Sequence, residues 1–268
     1  MSVFAKNQRA CLEHLLELKA PSRLGARDAI LFNVCPDGMQ RASRLLGWTT
    51  LCSNPPLPIA KIQEYAAAVR AEGLEAVVLM GQGGSSQAAM TITKLHELSS
   101  GSEVAFRTMD SLSPVFVNHI LGSSDPARTL YIVASKSGST IEPLMLERVA
   151  WRYVAASLGA EKAARRFVAI TDPGSNSHGD PGSDLEQLAR AKGYRLVLPT
   201  PADVGGRFSA LTAFALFPAA LVGIDIADVI AAARATEQTC TADDPQNPAL
   251  ELASFLYASY LEGRDKIS

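Results

Sequence analysis

From Pro58 onward the sequence predicts a three-layer α/β fold, with a parallel sheet between two layers of helices. Three observations predict it. Helical segments alternate with short apolar strands. The strands read as unbroken Val, Ile, Leu and Ala runs, as strands covered by helices on both faces do. Four of the strand ends run into unusual loops rich in Gly, Ser and Pro, and in open sheets of this kind ligands collect beyond the carboxyl ends of the strands.

Residues 1–56 lack a strand rhythm. Leu12, Leu15, Leu16 and Leu18 have helical spacing, and Pro21, Gly25, Pro36 and Gly38 interrupt the stretch after them, giving a helical, irregular lead-in. A helix over 58–71 ends near Gly73, and the strand 76–80 after it runs into Gly81, Gln82, Gly83 and Gly84, with a helix opening at Ser85 and Ser86. An apolar stretch near 104–108 and a helix near 113–121 precede the strand 130–134. That strand delivers Ser135, Lys136, Ser137, Gly138, Ser139 and Thr140 onto a long helix, 140–158. The strand 167–171 leads into Asp172, Pro173, Gly174 and Ser175. The strand 195–198 leads into a Pro-bounded loop ending at Gly205, Gly206 and Arg207. Helices near 208–222, 226–238 and 247–262 close the chain, so the expected domains are the lead-in 1–56, a ligand-binding domain 57–225 and a helical segment 226–268.

A chain of 268 residues, 47% of them apolar, can bury one substantial core with appendages. Its 25 basic residues are spread along the chain against 27 acidic ones, which is not the footprint of a nucleic-acid binder. Cys11, Cys35, Cys52 and Cys240 lie far apart without paired-ligand spacing, and the N-terminus has no charged-then-apolar export signal. Reduced thiols in a cytoplasm are expected. The longest apolar run, near 211–222, is broken by Pro218 and falls short of the roughly 20 residues a membrane helix needs. Neither GxGxxG nor GxxxxGK[ST] occurs, and His14, His96, His119 and His178 lie in unrelated elements, so no nucleotide, cofactor or metal is expected.

The loops carry the chemistry. Glycines from Gly81 to Gly84 let backbone approach a ligand closely, and the first amides of the next helix point outward unpaired. Taken alone, the hydroxyls of Ser85 and Ser86 read as caps of that helix, with ligand contact as the second reading. The run Ser135 to Thr140 offers four hydroxyls, one ammonium and one glycine between a buried strand and a helix N-terminus, a mixture suited to a phosphate dianion. Asp172, Pro173 and Gly174 read first as a turn and second as a carboxylate aimed at the crevice. Arg207 comes after two glycines at a helix start, where the dipole disfavours a cation, and a guanidinium there can stabilise an oxyanion.

In order along the chain, Gly81 to Ser85, Ser135 to Glu142, Ile170 to Ser175 and Val204 to Ser209 resemble successive motifs of the phosphoglucose isomerase family. The resemblance runs from about residue 58 to 225, and Arg44 to Trp48 is similar to the isomerase portion of transaldolase–phosphoglucose isomerase fusions. It implies a sugar-isomerase (SIS) domain, flavodoxin-like with about five parallel strands, that interconverts glucose 6-phosphate and fructose 6-phosphate in glycolysis and gluconeogenesis. By motif, Gly84 and Ser85 line the sugar-phosphate site, while Ser135, Lys136, Ser137 and Thr140 hold the phosphate. Arg207 stabilises the enediolate, and Glu142 helps orient a catalytic histidine. Ser137 replaces a common threonine, and Gly138 and Ser139 stand where the family often has an aromatic residue and a threonine. The family's catalytic glutamate, histidine and lysine belong to motifs absent here, so the chain is expected to be incomplete, without its second SIS domain and inactive alone, although full members are homodimers. Two alternatives remain: a non-catalytic sugar-phosphate-sensing SIS domain, and the isomerase domain of another hexose-phosphate enzyme. The segment Val204 to Ser209 argues against the latter.

Overall fold

The computed structural model describes residues 1–32, 34–173, 182–264 and 266. In chain order the helices are α1 (Val3–Glu17), α2 (Ala20–Gly25), α3 (Pro36–Ser43), α4 (Ile59–Arg70), α5 (Gln87–Ser100), α6 (Pro114–Gly122), α7 (Ile141–Leu158), α8 (Ala160–Ala164), α9 (Asp184–Lys192), α10 (Ala213–Leu221), α11 (Ile226–Cys240) and α12 (Pro248–Leu261). The strands are β1 (Ala76–Gly81), β2 (Ala105–Met109), β3 (Thr129–Ala134), β4 (Phe167–Thr171) and β5 (Leu196–Pro199). Two compact units result, Pro55–Val229 and a second made of Met1–Asn54 with Ile230–Ser268.

The larger unit holds a five-stranded, all-parallel sheet in the order β2-β1-β3-β4-β5, the three-layer α/β fold that the alternation predicts. Every residue of β1, β3 and β4 is buried, which is why their sequences are apolar almost throughout. On one face Val78, Met80, Tyr131, Val133, Phe167 and Ala169 pack under α6, α7, α8 and α9. Alternation of Cβ direction turns Val77, Leu79, Leu130 and Ile132 to the other face, where α10 packs against α4 and α5. Each such Val, Leu or Ile contributes about 1.5–3 kcal/mol on burial. All nine residues of α10 are buried, Pro218 included, so the longest apolar run is a core helix. Among the described residues no helix is long and apolar enough to cross a membrane.

Helices α8 and α9 were not expected from the sequence pattern. The α9 boundaries nevertheless follow from capping: the Ser183 hydroxyl accepts from the Glu186 N–H at 3.2 Å, Asp184 and Glu186 occupy the first turn, and Gly193 closes the helix at φ 69°. In the smaller unit α1 packs on α12, with Phe4 and Phe255 edge to face at 5.5 Å. The Asp243 carboxylate accepts from the Ser22 N–H and hydroxyl, the Cys52 N–H donates to Glu237, and the Arg234 guanidinium donates to the Cys52 carbonyl. These bonds tie N-terminal turns to C-terminal helices.

Candidate functional site

The strand order reverses at one place. From β1 the chain steps outward to β2, then returns past β1 to β3, so the connections leaving β1 and β3 diverge and open a crevice beyond their carboxyl ends. The two strands meet closely there. Gly81 pairs with Ala134, and a Cβ on Gly81 would lie 3.1 Å from the Ala134 carbonyl oxygen. The two loops with the strongest chemical signals are those that leave β1 and β3.

After β1, a 3-10 turn over Gly83–Ser85 replaces the direct helix start that the sequence predicts, and α5 begins at Gln87. The cap reading of Ser85 and Ser86 is overturned. Ser86 occupies the N-cap of α5, but the tight turn leans its hydroxyl back toward the Gly83 carbonyl at 3.4 Å, and no side chain caps the helix. Ser85 is buried beside it.

The Gly83–Ser85 turn packs against a second 3-10 turn, Gly206–Leu211. A Cβ on Gly84 would stand 2.2 Å from the Gly206 carbonyl oxygen and 3.1 Å from the Arg207 nitrogen, so only glycine permits this approach. The buried Ser209 hydroxyl ties the two turns, lying 3.2 Å from the Gly84 carbonyl and 2.7 Å from that of Gly206. Together they form a cleft of about 850 Å³ lined by Gly83, Gly84, Gln87, Thr91, Gly206 and Arg207 among others. Arg207 is exposed, and among the described residues its guanidinium enters no ion pair. A charged, uncommitted donor over a cleft can meet an anion or a developing oxyanion.

After β3, the hydroxyls form a chain: Ser135 donates to Thr140 at 3.2 Å, Ser137 lies 3.4 Å from Thr140, and Ser139 donates to Ser137 at 3.2 Å. The Gly138 N–H donates to the Ser135 hydroxyl at 3.1 Å. Thr140 is the N-cap residue of α7 but makes no capping bond, so the outward amides of this helix stay open to an anion. Glu142 sits half-buried in the first turn of α7, where the dipole favours a carboxylate. Gly138 has φ +70°, and an added Cβ would stand 2.5 Å from the Ser183 side chain. The loop therefore packs on the start of α9.

The Lys136 ammonium is ion-paired with the Asp172 carboxylate and donates to the Pro201 carbonyl at 3.0 Å. Asp172 also accepts from the Thr200 hydroxyl. Asp172 is thus an engaged carboxylate, largely shielded beside the Lys136 ammonium, and the turn expected after it runs into residues outside those described. Gly174, Ser175 and His178 lie outside the described residues. Thr200 escaped the sequence reading and Ser209 entered it only as the end of a motif, although both hydroxyls border the loop that carries Gly205 and Gly206. The structure thus brings Gly84 and Arg207 onto one cleft. Ser135, Lys136, Ser137 and Thr140 lie together at the neighbouring strand end, and neither they nor Ser85 and Glu142 line that cleft.

The family profile described as phosphoglucose isomerase matches residues 61–258. The glucose-6-phosphate isomerase of Symbiobacterium thermophilum is 34% identical over 214 residues, covering 76% of this chain and 46% of the relative. That of Clostridium perfringens is 30% identical over 243 residues, covering 87% and 52%. A hypothetical protein from Thermus thermophilus superposes with TM-score 0.73 at 28% identity, covering 95% of this chain and 55% of the other. A glucose-6-phosphate isomerase from Chlamydia trachomatis shares the fold, with TM-score 0.60 at 21% identity over 84% of this chain and 40% of the other. The chain spans about half the length of the curated relatives it matches. With a profile match across most of its length and ordered motifs at one sheet edge, the chain belongs to the phosphoglucose isomerase family.

Proposed function

We propose that residues 57–225 form a SIS domain supplying the phosphate-gripping half of an aldose–ketose isomerase site for glucose 6-phosphate and fructose 6-phosphate. The observation that carries this reading is the pairing of a four-hydroxyl loop at the strand-order reversal with a guanidinium held over the adjoining cleft. Ser135, Ser137 and Thr140 bind the phosphate through their hydroxyls, Lys136 adds its N–H and nearby charge, and Gly84 and Ser85 admit the sugar. Arg207 stabilises the oxyanion of the enediolate as the proton moves between C2 and C1, and Glu142 orients an acid–base group. Hydrogen bonds to a charged acceptor are worth about 1.5–3 kcal/mol each, so three or four suffice for a phosphosugar after association costs.

Among the described residues, those lining the cleft include one cation and no carboxylate or imidazole. Proton transfer at C2 needs a base, so the chain alone binds substrate without turning it over. This supports a second reading, in which the domain senses sugar phosphate and does not convert it. The modest, evenly spread charge accords with a small anionic ligand rather than nucleic acid. We place the activity in the cytoplasm, within glycolysis and gluconeogenesis, and the whole enzyme as a homodimer.

Phosphorus NMR of the purified chain with glucose 6-phosphate tests the proposal. Line broadening that Arg207→Ala and Thr140→Ala each reduce, without a fructose 6-phosphate signal, is the expected result. A folded chain that gives no broadening at millimolar sugar phosphate ends the binding assignment, and turnover by the chain alone ends the claim that its base is missing.

A further inference from the structure

The segment that carries Arg207 starts at the far edge of the sheet and finishes on β1. From β5 it passes the end of β4, where the Thr200 N–H donates to the Thr171 carbonyl at 2.9 Å and the Thr200 hydroxyl donates to Asp172. It passes the end of β3, where Lys136 holds the Pro201 carbonyl at 3.0 Å. Val204 is then buried, and the turn at Gly206 meets Gly84 beyond β1. Residues 200–206 are therefore a strap across the carboxyl ends of β4, β3 and β1.

Among the described residues, Lys136 is the side chain of the phosphate loop that reaches this strap. Its ammonium uses one donor on Asp172 and another on Pro201, and both partners of the ion pair are largely shielded, with 23% and 19% of their side chains exposed. Asp172 in turn spends one oxygen on Lys136 and the other on Thr200. The three groups lock the strap at its start, and Ser209 fixes the turn just past its end. An ammonium with two fixed protein partners is poorly placed to follow a ligand, whereas the neighbouring hydroxyls bond chiefly to one another.

We infer that Lys136 and Asp172 are positioning residues: their ion pair clamps the strap and so sets where Arg207 stands over the cleft. The inference rests on the proposed role of Arg207 for its catalytic meaning, but the clamp itself is a property of the free chain. It assigns the Lys136 side chain to the strap, and leaves the loop's hydroxyls and amides to the phosphate. It also assigns a role to Asp172, as the carboxylate of the clamp.

Hydrogen exchange on the intact chain tests this without ligand. The Val204 and Phe208 amides are bonded to the Pro201 and Gly205 carbonyls, so their exchange reports closure of the strap. In Asp172→Asn these amides should exchange roughly tenfold faster while β1 and β3 keep their protection, and Lys136→Met should act alike. The double variant should add little to either single one, as coupled partners do. Modification of Arg207 by phenylglyoxal, mapped by mass spectrometry, supplies the second arm: glucose 6-phosphate should protect Arg207 in the parent chain and roughly tenfold less in either variant. Unchanged exchange at Val204 and Phe208 in both variants overturns the clamp, as do additive effects. If one variant exchanges globally, the other decides. Absence of protection in the parent chain defeats the proposed function instead, and leaves the exchange result to judge the clamp alone.

Discussion

A methyl group added at Gly84 would sit inside the van der Waals contact of the Gly206 carbonyl, whereas one added at Gly206 meets nothing within 4 Å. Gly84→Ala should therefore push the two turns apart, costing about 1–3 kcal/mol in a thermal melt and at least roughly tenfold in sugar-phosphate affinity, while Gly206→Ala leaves the melt within about 0.5 kcal/mol. The same scale explains the cysteines. Burial, and then the charge of Glu237, pushes the Cys52 thiol up to about 11. A raised thiol pKa keeps the unreactive protonated form below that value, so at pH 8 iodoacetamide should label exposed Cys35 and spare Cys52, whose labelling grows only as pH climbs toward 11. Peptide mapping after a pH series checks this. Which glycines bear the site was half legible. The Gly81–Gly84 run announced a close approach, but its partner, Gly206, is 122 positions further along and could be named only from the fold.

Among elements, α7 follows the hydroxyl-rich loop and carries a fully buried carboxylate. Glu147 accepts from Lys192 of α9 at 2.7 Å and from the Tyr194 hydroxyl, with Trp151 stacked on Tyr194 and beneath the Lys192 ammonium. Lys192→Met leaves that carboxylate with the Tyr194 hydroxyl but without its ammonium, and should cost on the order of 2–3 kcal/mol, below the fully buried figure because Lys192 keeps 23% of its side-chain exposure. Adding Glu147→Leu should recover most of it, since an apolar pair of similar volume is often as stable. Burial, and next the Glu147 charge, raises the Tyr194 phenol. A raised phenol stabilises fully below its unfolded pKa of about 10 and loses that contribution as pH rises further, so denaturation midpoints should fall above pH 10 and less steeply in Tyr194→Phe. The strands were plain in the sequence because full burial leaves little but apolar residues. Helix α9 was not, because a Gly- and Ser-rich approach hid a serine cap with a glutamate three positions on. The Lys136–Asp172–Thr200 contact was equally out of reach, since its three members come from three strand ends.

At the scale of the molecule, the larger unit exposes Leu112 and Val115 at α6, Ile141, Val149 and Tyr153 on α7, and Leu95 and Leu98 on α5. Apolar area of this kind drives association. Light scattering should show self-association of the chain rising with concentration, and Val115→Glu together with Val149→Glu should lower it without shifting the melt by more than about 0.5 kcal/mol, as both side chains are exposed. The fold class and the motif order were readable because both are local in sequence. The joining of residues 1–54 to the C-terminal helices was not, because it rests on contacts between residues far apart in sequence, such as Phe4 with Phe255 and Ser22 with Asp243.

The strap has a bearing on how the site comes into being. The bond between Ser209 and the Gly84 carbonyl spans 125 positions of chain, and it cannot form until β5, the strand furthest along the sheet, is in place to launch the segment. Closing so long a loop is entropically expensive and is rewarded only when the intervening strands have paired. The loop after β3 leans on later chain as well, through Gly138 on the start of α9 and through Lys136 on Asp172 and the Pro201 carbonyl. The turn at Gly84 and the loop after β3 thus both take their final form from chain downstream of β4, and neither is finished before the sheet is.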